Sequence, residues 1–282
     1  IRRQRQMCIR DRSKDLLEKY DISILPLHIL LGETEYRDGV DITPEEIFRW
    51  SDENKTTPKT SAPSMTEAME VMKPFLDEGR EIICFSISDS MSTSGNVMRL
   101  AAEELEASDK VTVINSANLS TGIGLQVIQA ALLSAEGKTR AKITAAIEEI
   151  RPRVRASFTV DTLTYLYRGG RCNAVAALAG TMLKLHPRIV VEDGAMDASK
   201  KYRGKLSSVI LSYTKDMEDD LKNAVPDRVF ITHSGCDREI VESVRSYLES
   251  LGIFNEILET RAGGVISSHC GPGTLGVLFI EK

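Results

Sequence analysis

Residues 81–115 read EIICFSISDSMSTSGNVMRLAAEELEASDKVTVIN, and the order of patterns within them decides the fold. EIICFSIS (81–88) is a short, nearly continuous apolar run, as expected of a strand buried on both faces. SGNVMRLAAEELEA (94–107) switches to helical spacing, and VTVIN (111–115) returns to β-branched residues. Strand, helix, strand in that order implies a parallel pair with a crossover helix. Two more helical stretches, 119–135 and 140–153, follow, so the sheet is expected to be covered on both faces.

Upstream, Ser64-x-x-Glu67 and Thr43-Pro44-Glu45-Glu46 each place a hydroxyl cap three residues before a glutamate, and the second adds a proline at the first helical position. Both are helix starts. Ile22–Leu31 suits a strand and SKDLLEKY (13–20) a short helix. Residues 1–12 (IRRQRQMCIRDR) show no hydrophobic period and read as an atypical segment outside the fold, disordered or artefactual.

Downstream the pattern changes. ASFTV (156–160), a short helix near Leu163–Tyr167 and a small-residue helix at 174–185 lead to a hairpin built on PRIVVED (187–193). A long helix at 204–223, strand RVFITHS (228–234), helix 237–251, a strand at 253–260 and the final strand TLGVLFIE (274–281) complete the chain. The expected architecture is α/β with two domains: a parallel-sheet α/β/α domain over 13–155 and a mixed-sheet domain over 156–282 with helices mainly on one face.

The 282 residues carry a net charge of −5. Residues 1–12 hold five Arg and one Asp, which leaves −9 on the remainder. An acidic body is a poor match for nucleic acid, whose binding depends on clustered Lys and Arg. Five scattered cysteines without a C-x-x-C pair read as reduced thiols, and no apolar run approaches the length of a membrane span, so the expected location is cytoplasmic. The four histidines are isolated from one another, so no metal site is expected.

Common catalytic signatures are missing. Gly271-Pro272-Gly273-Thr274-Leu275-Gly276 matches G-x-G-x-x-G literally, but it opens no helix in a βαβ unit. What remains are segments rich in hydroxyls and glycine: Thr56–Ser64, Ser86–Gly95, and Ser267–Gly273 with His269 at its centre. The second follows a buried strand and precedes a helix, where an open parallel sheet binds ligands and free N–H groups attract anions. The same hydroxyls serve equally well as helix caps. His269 is either a satisfied structural residue or a ligand-facing one. Arg168 and Arg171 flank Gly169-Gly170, an arrangement that suits a phosphate or protein partner, or simply the end of a helix.

Several stretches together resemble the bacterial DegV family, which includes the fatty-acid-binding subunits of fatty acid kinase. They are KYDISILPLHILLGETEYRDGVDITPEEIF (19–48), PKTSAPS (58–64), ISDSMSTSGNVMRLAAEE (87–104), VDTLTYLYRGGR (160–171), P-x-I-V-x-E-D-G (187–194), YRGK (202–205) and GGVISSHCGPGTLG (263–276). The resemblance implies a non-catalytic protein that holds one long-chain fatty acid in a tunnel between two domains, needs no cofactor, and presents the carboxyl group to a fatty acid kinase. It places Thr60, Ser92 and His269 on the carboxylate, Ser61, Arg171 and Arg203 near the head group or the partner surface, and the helix at 174–185 along the acyl chain. Three departures stand out. The family's first strand should precede SKDLL, where residues 1–12 look unable to supply it; its L-S-G-T loop reads Met91-Ser92-Thr93-Ser94; and its usual lysine before the hairpin proline is His186. Alternative expectations are a hydrolase or acyltransferase using Ser92 and His269, and a lipid-sensing regulatory protein.

Overall fold

The computed structural model describes residues 5–8, 14–172 and 185–282. Strand β1 (Arg5–Cys8) is followed by α1 (Lys14–Lys19), β2 (Ile22–Ile24), β3 (His28–Leu31), β4 (Thr34–Arg37), α2 (Pro44–Asn54), β5 (Lys59–Ser61) and α3 (Met65–Asp77). Then come β6 (Ile82–Ser86), α4 (Ser94–Glu104), β7 (Val111–Asn115), α5 (Ser120–Ala135), α6 (Arg140–Ile150), β8 (Val154–Thr159) and α7 (Thr164–Gly169). The remainder is β9 (Leu185–Glu192), β10 (Ala195–Arg203), α8 (Leu206–Lys215), α9 (Glu218–Lys222), β11 (Ala224–Ser234), α10 (Arg238–Ser250), β12 (Glu256–Arg261), α11 (Gly264–Cys270) and β13 (Thr274–Glu281).

Three sheets result. The parallel sheet has the order β2-β1-β6-β7, the mixed sheet β10-β9-β8-β13-β11-β12, and a small antiparallel sheet β4-β3-β5. Strand β6 is buried on both faces. Its alternation sends Ile82 and Cys84 into a core with Met72, Met98 and Ala101 of α3 and α4, and Ile83 and Phe85 into the opposite core. That second core continues through Ile123 and Val127 of α5 to Ala156, Phe158 and Leu278 of the mixed sheet. Helix α5, buried from Ser120 through Ile128, packs against β6, β8 and β13, and its apolar character on all sides follows from lying between two sheets. On the far face of the mixed sheet, Val229, Ile231 and Val277 meet Tyr213 of α8 and Val244 and Leu248 of α10. The fold is α/β in two domains, one built on the parallel sheet and one on the mixed sheet.

Both helix-start motifs close as capping boxes: Thr43 with Glu46 and Ser64 with Glu67. Three expectations need correction. Residues 1–12 are not wholly outside the fold, because Arg5–Cys8 pairs in parallel with both β2 and β6. Strand pairing runs through the main chain, so four residues without a hydrophobic period can still fill that position. Ile22–Leu31 is two strands in two sheets, broken at Pro26, which has no N–H to donate to a ladder. The helix expected at 204–223 breaks after Lys215. There Asp216 accepts hydrogen bonds from Lys200 Nζ and Tyr202 Oη, and Met217 turns into the core. The helix expected at 174–185 lies outside the described residues, apart from Leu185, which begins β9.

Candidate functional site

Thr60 sits on β5, paired opposite Ile29 of β3. This short strand crosses the segment that looked like a hydroxyl-rich loop and turns Thr60 toward α11. Thr60 Oγ1 lies 2.8 Å from Nε2 of His269, joining residues 209 positions apart. The third glycine-rich segment is therefore partly helical: Gly264–Cys270 forms α11, and His269 stands in its last turn.

His269 is enclosed by protein but faces a cavity. Burial pushes its pKa down to about 4, with the positive charge of Arg171 adding to the effect, so the ring is neutral at pH 7. Nδ1 has no hydrogen-bond partner among the described residues. A buried N–H left unpaired costs more than a bare acceptor, which favours the tautomer with its proton on Nε2. In that tautomer Nε2–H donates to Thr60 Oγ1, which leaves the threonine's own hydrogen for a group in the cavity.

Ser92 lies in the loop between β6 and α4. Its hydroxyl donates to Ser94 Oγ and accepts from Ser94 N–H, each at 3.2 Å. It thus braces the start of α4, whose N-cap Thr93 makes no side-chain bond of its own. No hydrogen bond joins Ser92 to His269 among the described residues.

These residues share one cavity of about 470 Å³, lined by Thr60, Ser61, Ser92, Arg171 and His269 together with Leu27, Ile87, Leu119, Met196, Val265 and Ile266. Polar groups from both halves of the chain meet there beside apolar side chains. A second, smaller space of about 30 Å³ shares Leu119, Ile266 and Cys270 with the first and is also lined by Ala156, Phe158 and Leu278. Arg203 ends β10, exposed, and does not line the cavity. His186 is buried, and its Nδ1–H donates to the carbonyl of Val160 at 2.9 Å.

The diglycine resolves into two tasks. Gly170 ends α7 with φ +64, a left-handed cap suited to glycine. Gly169 lies against the histidine, where an added Cβ would come within 2.3 Å of His269 Nδ1. Arg171 Nη1 donates to the Gly169 carbonyl at 2.6 Å, and Arg168 stands in the last turn of α7.

The motifs alone did not point to two further contacts. Ser90 Oγ donates to the carbonyl of Gly194, tying the β6–α4 loop to the β9–β10 turn. Asp38, 3% exposed, accepts hydrogen bonds from Gly264 N–H and Val265 N–H, 2.7 and 3.0 Å away, at the start of α11. The signal for Asp38 was present only indirectly, as an acidic residue in a turn that precedes a capped helix.

No described helix is long and apolar enough to cross a membrane. The fold and its cavity define a two-domain α/β protein with polar groups converging on a neutral histidine. The family model described as "Uncharacterised protein, DegV family" matches residues 9–282, and the chain belongs to that family. A DegV domain-containing protein of Caldanaerobacter subterraneus is 30% identical over 274 residues, covering 96% of each chain. Among solved structures, a fatty-acid-binding DegV family protein from Thermus thermophilus superposes with a TM-score of 0.90 at 30% identity, covering 99% of both chains. A stearic-acid-binding protein from Eubacterium ventriosum gives 0.85 at 29% identity, covering 100% of this chain and 99% of its own.

Proposed function

We propose that this protein binds a long-chain fatty acid, with its carboxylate at Thr60, Ser92 and His269 and its acyl chain in the space between the 13–155 and 156–282 domains. The observation that carries the reading is the Thr60–His269 pair at 2.8 Å, set with Ser92 on a cavity that apolar side chains also line. Thr60 donates its hydroxyl hydrogen to the carboxylate, and Ser92 joins it by turning its own hydrogen from Ser94 Oγ to the ligand; neither makes a fixed ion pair, so the ligand remains releasable. Each buried CH₂ contributes roughly 0.8 kcal/mol, so a dozen methylenes outweigh the head-group contacts in affinity while those contacts fix the polarity of binding. The narrow space beside Phe158 and Leu278 offers the chain an apolar continuation.

The protein acts as a carrier without chemistry of its own and presents the carboxyl group to a kinase that phosphorylates it. Ser61 and Arg171, exposed on the cavity lining, face that partner, and Arg203 belongs to the surface around it. Titration with oleate or palmitate tests the binding reading. Saturable one-to-one binding that Thr60→Val and His269→Ala both weaken is expected; no uptake of either acid by delipidated, folded protein contradicts it.

A further inference from the structure

Helix α11 is gripped at both ends by the same small sheet. At its start, the Asp38 carboxylate, which directly follows β4, takes the N–H groups of Gly264 and Val265, one on each oxygen. Near its end, His269 meets Thr60 of β5, and β4 and β5 both pair with β3. A closed circuit results: β4, Asp38, α11, His269, Thr60, β5, β3. A helix of seven residues has little stability of its own, so such contacts set its orientation. The fit at its start is tight, since a Cβ on Gly264 would lie 2.8 Å from Asp38 Oδ1 and 2.6 Å from Ile29 Cδ1.

We infer that Asp38 is a positioning residue for carboxylate recognition: it fixes the rotation of α11 and thereby holds His269 on Thr60. The inference rests on the fatty-acid reading above. Asp38 itself does not line the cavity, so its effect reaches the ligand through the helix. The two oxygens accept from successive N–H groups, and this two-point hold resists rotation about the helix axis in a way that one bond does not. The negative charge also lies at the positive end of the helix.

Asp38→Asn keeps the shape of the side chain but sets an NH₂ against one of the two backbone N–H donors. Affinities for oleate and for oleyl alcohol, which has no carboxylate, are measured with wild type, Asp38→Asn, His269→Ala and the double variant. Asp38→Asn is expected to weaken oleate about fivefold or more and to leave the alcohol within about twofold. The double variant is expected to bind oleate no more weakly than His269→Ala alone, because both changes remove the same interaction. If Asp38→Asn does not fold, Asp38→Ser, which retains one acceptor, takes its place in the same measurements. Equal losses for oleate and alcohol, or additive losses in the double variant, overturn the inference. Wild-type protein that does not prefer oleate to the alcohol removes the carboxylate reading itself; a wild-type preference retained by the Asp38 variants overturns the positioning role alone.

Discussion

His269 Nε2 and Thr60 Oγ1 stand 2.8 Å apart, and this bond fastens the C-terminal glycine-rich segment to the second hydroxyl-bearing strand of the small sheet. Histidine supplies a neutral ring at physiological pH, and in the proposed carboxylate site threonine supplies the hydrogen that the ligand accepts. Because of this pairing, the two residues are expected to act as a unit. Thr60→Val, which keeps the shape but removes the hydroxyl, is expected to reduce oleate affinity by about 1–2 kcal/mol, and adding His269→Ala is expected to cost clearly less than the sum of the two losses. Calorimetric titration of the three variants checks this.

Gly169 and Gly170 are adjacent but do different work. Gly169→Ala drives a methyl group into the His269 ring, so it is expected to lower ligand affinity more than stability. Gly170→Ala forces a left-handed φ on a residue with a side chain and has open space around it, so it is expected to cost about 1 kcal/mol of stability and to leave binding unchanged. Thermal melts and oleate titrations on the pair separate the two roles.

Acid should destabilise the ligand-free protein through His269. Its folded pKa, about 4, is below the ordinary 6.5, so between those values the unfolded chain binds the extra proton and stability falls as pH falls. His269→Asn is expected to flatten this part of the stability profile, measured by denaturant unfolding from pH 7 to pH 4. A bound carboxylate should raise the histidine's pKa, visible as a shifted imidazole titration by NMR.

His28 works in the opposite sense. Its ring bonds Glu35 through Nδ1 at 2.7 Å and Glu67 through Nε2 at 2.9 Å. Partial burial opposes protonation, but the hydrogen bonds and charges of the two glutamates outweigh it and raise the pKa above 6.5. The stabilisation is therefore complete below pH 6.5 and is lost as pH rises through the raised value. Glu67 is held below its ordinary value: burial opposes this, but Ser64 and His28 outweigh it, so its contribution is present above pH 4.5 and is lost as pH falls through the lowered value. His28→Gln is expected to lower the melting temperature more at pH 6 than at pH 9.

The fold was legible where local chemistry is self-contained. The capping boxes at Thr43 and Ser64, the buried run of β6 and the crossover helix α4 each carry their cause within a few residues. Elements settled by tertiary packing were less visible. Pro26 divides what hydrophobicity alone reads as one strand, Met217 divides one helix into two, and α11 looks like a glycine loop because seven residues rich in Gly and Ser have little helical preference of their own. Its partners, Asp38 and Thr60, lie more than 200 positions away. Of the site residues, Thr60, Ser61, Ser92, Arg171 and His269 do converge on one cavity, whereas Arg203 does not join them. The motifs could name the groups; only the folded chain shows that His269 bonds Thr60 and that Ser92 bonds Ser94.

A fatty acid held in this cavity by its carboxylate should accompany the protein through purification. The most direct test is denaturing mass spectrometry of the protein freshly purified from a bacterial host. Release of a long-chain fatty acid in near one-to-one ratio is expected, reduced in the Thr60→Val variant. Folded protein that releases no lipid, and takes up neither palmitate nor oleate when these are supplied, would contradict it.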